Sequence, residues 1–214
     1  MEIARVGVLG SGDVGRVLGG GFIKLGHEVK IGTRNPEKLE EWVQSQGERA
    51  SAGSFEDAAA FGDVLVLATL GSGTESALRM AGLDNFAGKV VIDATNPLDF
   101  SKGKPELYIG WNDSLGEQIQ RWIPNARVVK AFNTVGNAHM IQPDFPGGPP
   151  DMFICGNDEN AKKLVSQVCT HWGWGVIDLG GIESSRYLEP MCMAWVIHGL
   201  RTNSWNHAFK MLKK

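Results

Sequence analysis

The chain has 214 residues, 43% of them hydrophobic, and a formal net charge of −3; this suits one large domain, or a nucleotide-binding domain with a small companion, and offers no extended basic face for nucleic acid or an anionic membrane. Its cysteines, Cys155, Cys169 and Cys192, are odd in number and lack paired metal-ligand spacing, so free thiols packed in a core in a reducing cytoplasm are expected, and no metal site. No room precedes the first strand for a signal peptide, and the apolar stretch 191–200 is too short to cross a bilayer, which predicts a soluble, cytoplasmic protein.

The first predicted element is a buried strand, Arg5-Val6-Gly7-Val8-Leu9. Gly10-Ser11-Gly12-Asp13-Val14-Gly15 follows at once and opens a helix that runs to about Lys24. A lone glycine motif is often only a turn, but between a strand and a helix each glycine acquires a task. Gly10 turns the chain off the strand, Gly12 lets a pyrophosphate approach the backbone, and Gly15 lets the helix lie close to the sheet. The helix N-terminus then faces the phosphates. Gly19, Gly20 and Gly21 each cost that helix about 1 kcal/mol relative to Ala, which close packing against the sheet explains. A second strand, 27–31, ends at Gly32-Thr33-Arg34-Asn35, where an NAD-binding chain offers a carboxylate to the ribose hydroxyls. None is present. The Thr33 hydroxyl and the forked Arg34 guanidinium, with Asn35 and Lys38 beside them, are donors suited to a 2′-phosphate, which points to NADP(H).

A helix is predicted over 36–46, with Leu39, Trp42 and Val43 on one face, and a short one over 55–60. The apolar runs 64–68 and 90–94 read as centre strands of a parallel sheet, separated by the turn Gly71-Ser72-Gly73 and a helix over 75–80. Ser114 and Glu117 resemble a capping box for a helix reaching Trp122, and 127–132 supplies another strand. Gly147-Gly148-Pro149-Pro150 marks a surface loop. Beyond it, runs at 152–155 and 176–179 flank a helix over 159–172 and extend the sheet; the tail from 184 to 213 is largely helical, with Pro190 as its start or a kink. The fold class is α/β: a Rossmann-type doubly wound, mostly parallel sheet with a small helical C-terminal part. Residues 1–146 form the NADP-binding domain, and 151–214 form a small extension serving as acceptor pocket or dimer contact.

No catalytic acid or base stands out. His27, His139, His171, His198 and His207 lack metal-site spacing. Lys130, in the last core strand, is the best charged candidate near the site, with solvent at the strand's end as its alternative destination. Asp93 reads as an organiser of backbone groups after its strand rather than a general base. Met191, Met193, Trp195 and Leu200 fill a core or meet a second subunit, which makes a homodimer the expected assembly. Hydride transfer between stacked rings needs close approach and dryness more than a proton donor. An NADP sensor without turnover and an imine or acid reductase are the competing readings.

Val128-Val129-Lys130-Ala131-Phe132-Asn133-Thr134-Val135 is more specific. This segment resembles the NADP-dependent deazaflavin (coenzyme F420) reductase family and is also similar to the cytoplasmic NADPH-binding domain of six-transmembrane ferric reductases. Gly32-Thr33-Arg34-Asn35-Pro36, Asp93-Ala94-Thr95-Asn96-Pro97-Leu98, Phe153-Ile154-Cys155-Gly156-Asn157-Asp158 and Ser184-Ser185-Arg186-Tyr187-Leu188-Glu189-Pro190 extend the match nearly end to end. The resemblance implies a small-molecule redox acceptor, a deazaflavin or FMN/FAD. It places Ser11, Gly12, Asp13 and Val14 along the pyrophosphate and Thr33 and Arg34 on the 2′-phosphate. Ala68, Thr69 and Leu70 fall beside the nicotinamide ribose, and Asn96, Pro97, Asn133, Thr134 and Val135 near the nicotinamide. At Asn133 the match is nearer the ferric-reductase form, since the deazaflavin reductases carry a His there.

Overall fold

The computed structural model describes residues 4–214. Strands and helices alternate: β1 (Arg5–Leu9), α1 (Asp13–Lys24), β2 (Glu28–Gly32), α2 (Glu40–Gln46), β3 (Ala50–Gly53), α3 (Phe55–Phe61), β4 (Val64–Leu67), α4 (Thr74–Ala81) and β5 (Val90–Asp93). A hairpin of β6 (Leu98–Asp99) and β7 (Glu106–Leu107) interrupts the pattern before α5 (Leu115–Trp122) and β8 (Arg127–Lys130). β9 (Asp151–Gly156), α6 (Glu159–His171), β10 (Gly175–Asp178) and α7 (Ser185–Thr202) follow.

Eight strands form one sheet in the order β10-β9-β8-β5-β4-β1-β2-β3. All pairs are parallel except β8 with β9. Winding runs outward in both directions from the junction of β1 and β4, so the crevice at their C-terminal ends is open to a ligand. Residues 151–214 add two strands to this same sheet.

Side chains alternate between two cores. Val6, Val8, Val64 and Val66 pack with Leu18 and Phe22 of α1 and Val165 and Val168 of α6, whereas Leu65, Leu67 and Val91 pack with Ala77 and Leu78 of α4, Ile119 of α5 and Leu188 of α7. β4 and β5 are buried throughout, as two-faced apolar runs require. Full burial of Leu18 and Phe22 contributes about 1.5–3 kcal/mol each. Phe22 meets Trp172 edge-on at 4.9 Å between ring centroids, which ties the first helix to the C-terminal part.

Gly19, Gly20 and Gly21 of α1 have three different neighbours. A Cβ on Gly19 would sit 3.3 Å from Val29, one on Gly20 3.2 Å from Gln46, and one on Gly21 2.5 Å from Ile141. Only the first faces the sheet, so packing against the sheet explains Gly19 alone.

Three further details depart from the sequence reading. The predicted helix over 36–46 begins with a 3-10 turn, Pro36–Leu39, before α2. β3, Ala50-Ser51-Ala52-Gly53, lacks branched or aromatic residues and exists because it pairs in register with β2. The tail is helical only to Thr202, where Asn203 takes a left-handed conformation (φ 50°) and ends α7; Pro190 lies inside the helix. Residues beyond it run as a strap. Asp151 N–H donates to the Phe209 carbonyl and Met211 N–H to Asp151 Oδ2 at 2.8 Å, while His139 Nε2 and Asn206 Oδ1 lie 3.0 Å apart.

Candidate functional site: a dinucleotide cleft

A cleft of about 670 Å³ opens at the C-terminal ends of β1, β2 and β4, within the range that holds small ligands. Gly10, Ser11, Gly12, Asp13, Val14, Thr33, Arg34, Ala68, Thr69 and Leu70 line it.

The glycines of the loop are required for separate steric reasons. Gly10 has φ +124°, and a Cβ there would fall 2.3 Å from the Ala68 carbonyl oxygen. A Cβ on Gly15 would lie 2.0 Å from the Gly10 carbonyl oxygen, so this glycine sets how closely α1 approaches its loop. At Gly12 a Cβ would meet no protein atom within 4 Å. The space over Gly12 is free for a ligand to reach the backbone. Gly12 is also the N-cap of α1 and supplies no capping side chain, which leaves the first-turn amides of the helix open to an anion. Asp13 stands exposed in that first turn, where the helix dipole favours a carboxylate.

At the end of β2, Ser11 Oγ donates to Thr33 Oγ1 at 3.0 Å and the Asn35 amide donates to the same oxygen at 3.3 Å. Arg34 is exposed and lines the cleft. It forms no ion pair among the described residues. Asn35 is exposed and outside the cleft wall, and Gly15 is buried behind it.

Asn96, Pro97, Asn133, Thr134 and Val135 are also absent from the wall; Ala94 and Asn137, on the same two chain segments, are present. Behind them Asn133, 2% exposed, works as a clamp. Its Nδ2 donates to Asn96 Oδ1 at 3.1 Å and to the Leu188 carbonyl at 2.9 Å, and Asn96 Nδ2 returns a bond to the Asn133 carbonyl. Phe132, next to it, holds φ +62°, a conformation uncommon for a bulky residue.

Lys130 does not reach solvent. Its Nζ is wholly buried, 2.8 Å from Asp93 Oδ2 and 3.1 Å from Glu189 Oε1, and it donates to the Thr95 carbonyl. Burial works against its charge, but the two carboxylates outweigh it and raise the pKa above the ordinary lysine value. Asp93 Oδ1 accepts from the Thr95 amide and hydroxyl, which is the backbone-organising task expected of it. Glu189 accepts from the Leu115 and Gly116 amides at the start of α5. This charge cluster joins β5, β8, α5 and α7, and none of Asp93, Lys130 and Glu189 lines the cleft.

Burial pushes the Cys155 thiol up to about 11 and the Cys192 thiol up to about 12, so neither is a nucleophile at neutral pH. Among the described residues no group of three His, Cys, Asp or Glu gathers to hold a metal. No helix among the described residues is long and apolar enough to cross a membrane. Of the four tail residues singled out, Trp195 is buried in the core and Leu200 is 52% exposed.

Sequence reasoning missed Phe55, Ser72, Gly73, Ser76, Ala77 and Met80 as cleft residues, and with them Ala94 and Asn137. Most belong to the glycine-rich turn after β4 and to α4. Their signal was position: loops after the C-terminal ends of parallel strands border the crevice.

Residues 5–97 match the family model described as NADP oxidoreductase coenzyme F420-dependent. The chain is 33% identical to the F420-dependent NADP reductase of Methanocaldococcus jannaschii over 89% of both chains. It is 30% identical over 89% of its length to Metalloreductase STEAP3 of Rattus norvegicus, of which it spans about a third, 36%. A solved structure from Arthrobacter sp. FB24, provisionally described as an F420-dependent NADP-reductase, superimposes with a TM-score of 0.93 at 39% identity, covering 99% of this chain and 100% of that one. The chain is thus an NADP-dependent oxidoreductase by descent, and it belongs to the family of coenzyme F420-dependent NADP oxidoreductases.

Proposed function

We propose that this enzyme passes hydride between NADP(H) and a deazaflavin of the coenzyme F420 class. The observation that carries the reading is the end of β2: Thr33 and an Arg34 with no acidic partner among the described residues stand where a carboxylate would otherwise select NAD. Likeness to F420-dependent NADP reductases over most of both chains supports the acceptor.

The residues that line the cleft support this reading. Ser11, Gly12, Asp13 and Val14 would border the pyrophosphate, with the open amides of α1 donating to it. Thr33 and Arg34 would donate to the 2′-phosphate. Ala68, Thr69 and Leu70 would flank the second ribose, and the clamp of Asn96 and Asn133 would fix the strand ends that face the nicotinamide. When bound, the nicotinamide supplies or receives the hydride. The residues around it align the two rings and exclude water, which accounts for much of the barrier lowering in such transfers. The exposed α7 residues Tyr187 and Ile197 make a homodimer part of the proposal, read by gel filtration.

Purified protein given NADPH and, in turn, coenzyme F420, FMN, FAD and a ferric chelate should lose nicotinamide absorbance with F420. Oxidation by a flavin alone would move the acceptor to that class. Tight NADPH binding with no turnover on any acceptor would make the protein a sensor, and turnover with an imine alone would make it an imine reductase.

A further inference from the structure

Arg16 is used by none of the roles above, yet its side chain crosses between the two loops that would hold the nucleotide. It lies one turn into α1 and is half-buried. Its Nε donates to the Ser11 carbonyl at 3.0 Å, and its Nη2 reaches the Lys38 carbonyl at 3.5 Å. Like Arg34, it forms no ion pair among the described residues. One guanidinium therefore spans from the glycine loop to the turn after β2.

What this bracing achieves follows from the hydrogen-bond inventory of Thr33. A threonine hydroxyl has one hydrogen to donate and two lone pairs with which to accept. Ser11 Oγ and the Asn35 amide both donate to Thr33 Oγ1, so both lone pairs are engaged and only the hydrogen is left. Such a hydroxyl can recognise an acceptor, as on a phosphate, and is poorly matched to a ribose hydroxyl, which also needs an acceptor of its own. The state of Thr33 depends on Ser11 being held against it. Arg16 holds Ser11 by its carbonyl.

We propose that Arg16 is a positioning residue for NADP selectivity: by fixing Ser11 against Thr33 it keeps the Thr33 hydroxyl a donor to the 2′-phosphate. The inference rests on the NADP reading of the cleft and goes beyond it, because Arg16 acts through Ser11 and Thr33 rather than by touching the nucleotide. The fork is essential. A lysine at this position keeps the charge but cannot donate in two directions at fixed spacing.

The test compares wild type with Arg16→Lys and Arg16→Met, each checked for an unchanged circular dichroism spectrum, by titration with NADPH, NADH and 2′,5′-ADP. Loss of a hydrogen bond to a charged group corresponds to about one to two orders of magnitude in affinity, and its weakening through a displaced Ser11 to about tenfold. Both variants should bind NADPH and 2′,5′-ADP about tenfold more weakly while NADH changes less than about twofold. In a Thr33→Val background the Arg16→Met effect on NADPH should nearly vanish. Full selectivity in Arg16→Lys would show that charge alone matters and overturn the bracing role, as would equal losses for NADPH and NADH. A wild-type protein that binds NADPH and NADH alike would instead overturn the NADP reading itself, before any variant is made.

Discussion

At the scale of single residues, Arg34 carries the sharpest consequence. Its guanidinium is exposed, lines the cleft and pairs with no carboxylate among the described residues, so a 2′-phosphate would gain a charge-assisted, forked contact there. Arg34→Ala should weaken NADPH by about one to two orders of magnitude, the worth of a hydrogen bond to a charged group, and leave NADH nearly unchanged. Titration with both nucleotides measures it, and equal losses would count against the 2′-phosphate assignment. This end of the cleft was legible in the sequence because its chemistry is local: the glycines, Thr33 and Arg34 sit on consecutive loops whose spacing is set by one strand and one helix. Lys130 was not legible in the same way. Its two partners, Asp93 and Glu189, are 37 and 59 residues away in the chain, and periodicity carries no information about such pairings.

Among elements, the buried charge cluster decides how α5 and α7 meet the sheet. Glu189, on α7, holds the first amides of α5 at 3.0 and 2.9 Å while pairing with Lys130 on β8. Gly116 is the residue that permits this approach, since a Cβ there would lie 2.4 Å from Ser185 Oγ and 2.9 Å from Lys130 Cε. Lys130→Met would strand two carboxylates in the core. Removing one partner of a buried pair costs about 3–5 kcal/mol, which for a chain of this size should lower the melting temperature by roughly 10 °C. The triple replacement Lys130→Met, Asp93→Asn, Glu189→Gln should recover part of that loss; a melting curve for Lys130→Met that overlays wild type would refute the structural role. The strands predicted as long apolar runs were readable because burial on both faces leaves its mark in composition. β3, β6 and β7 were not, because their residues are held by pairing rather than by side-chain preference: Leu98 and Asp99 oppose Leu107 and Glu106 across a hairpin with no alternation long enough to notice.

Over the whole molecule, the long-range carboxylates set the response to acid. Asp63 hydrogen-bonds Arg5 at 2.9 Å, which lowers its pKa and ties the start of β4 to the start of β1. Burial alone would raise Glu117, but its bonds to Arg186, 2.8 Å at Nε, and to Ser114 outweigh burial and lower it, joining α5 to α7. Groups depressed in the folded state stabilise it above their unfolded pKa, about 4 for carboxylates, and that contribution is lost as pH falls through the folded values. The melting temperature should hold steady down to about pH 5 and fall progressively below about pH 4. Glu117→Gln should flatten the acid limb measured by calorimetry, and an unchanged limb would remove Glu117 from the account. The junction between β1 and β4, from which the sheet winds both ways, also divides the protein's freedom to vary. On the β1 side, function is written in backbone closeness, where a side chain at Gly10 or Gly15 collides with a carbonyl. On the other side the proposed acceptor face is built from side chains, with Asn96 and the buried clamp of Asn133 at the strand ends and the outer residues of α7 beside them. In the proposed reading the nucleotide is therefore fixed by what the backbone cannot accommodate, and the acceptor by side chains on the opposite flank.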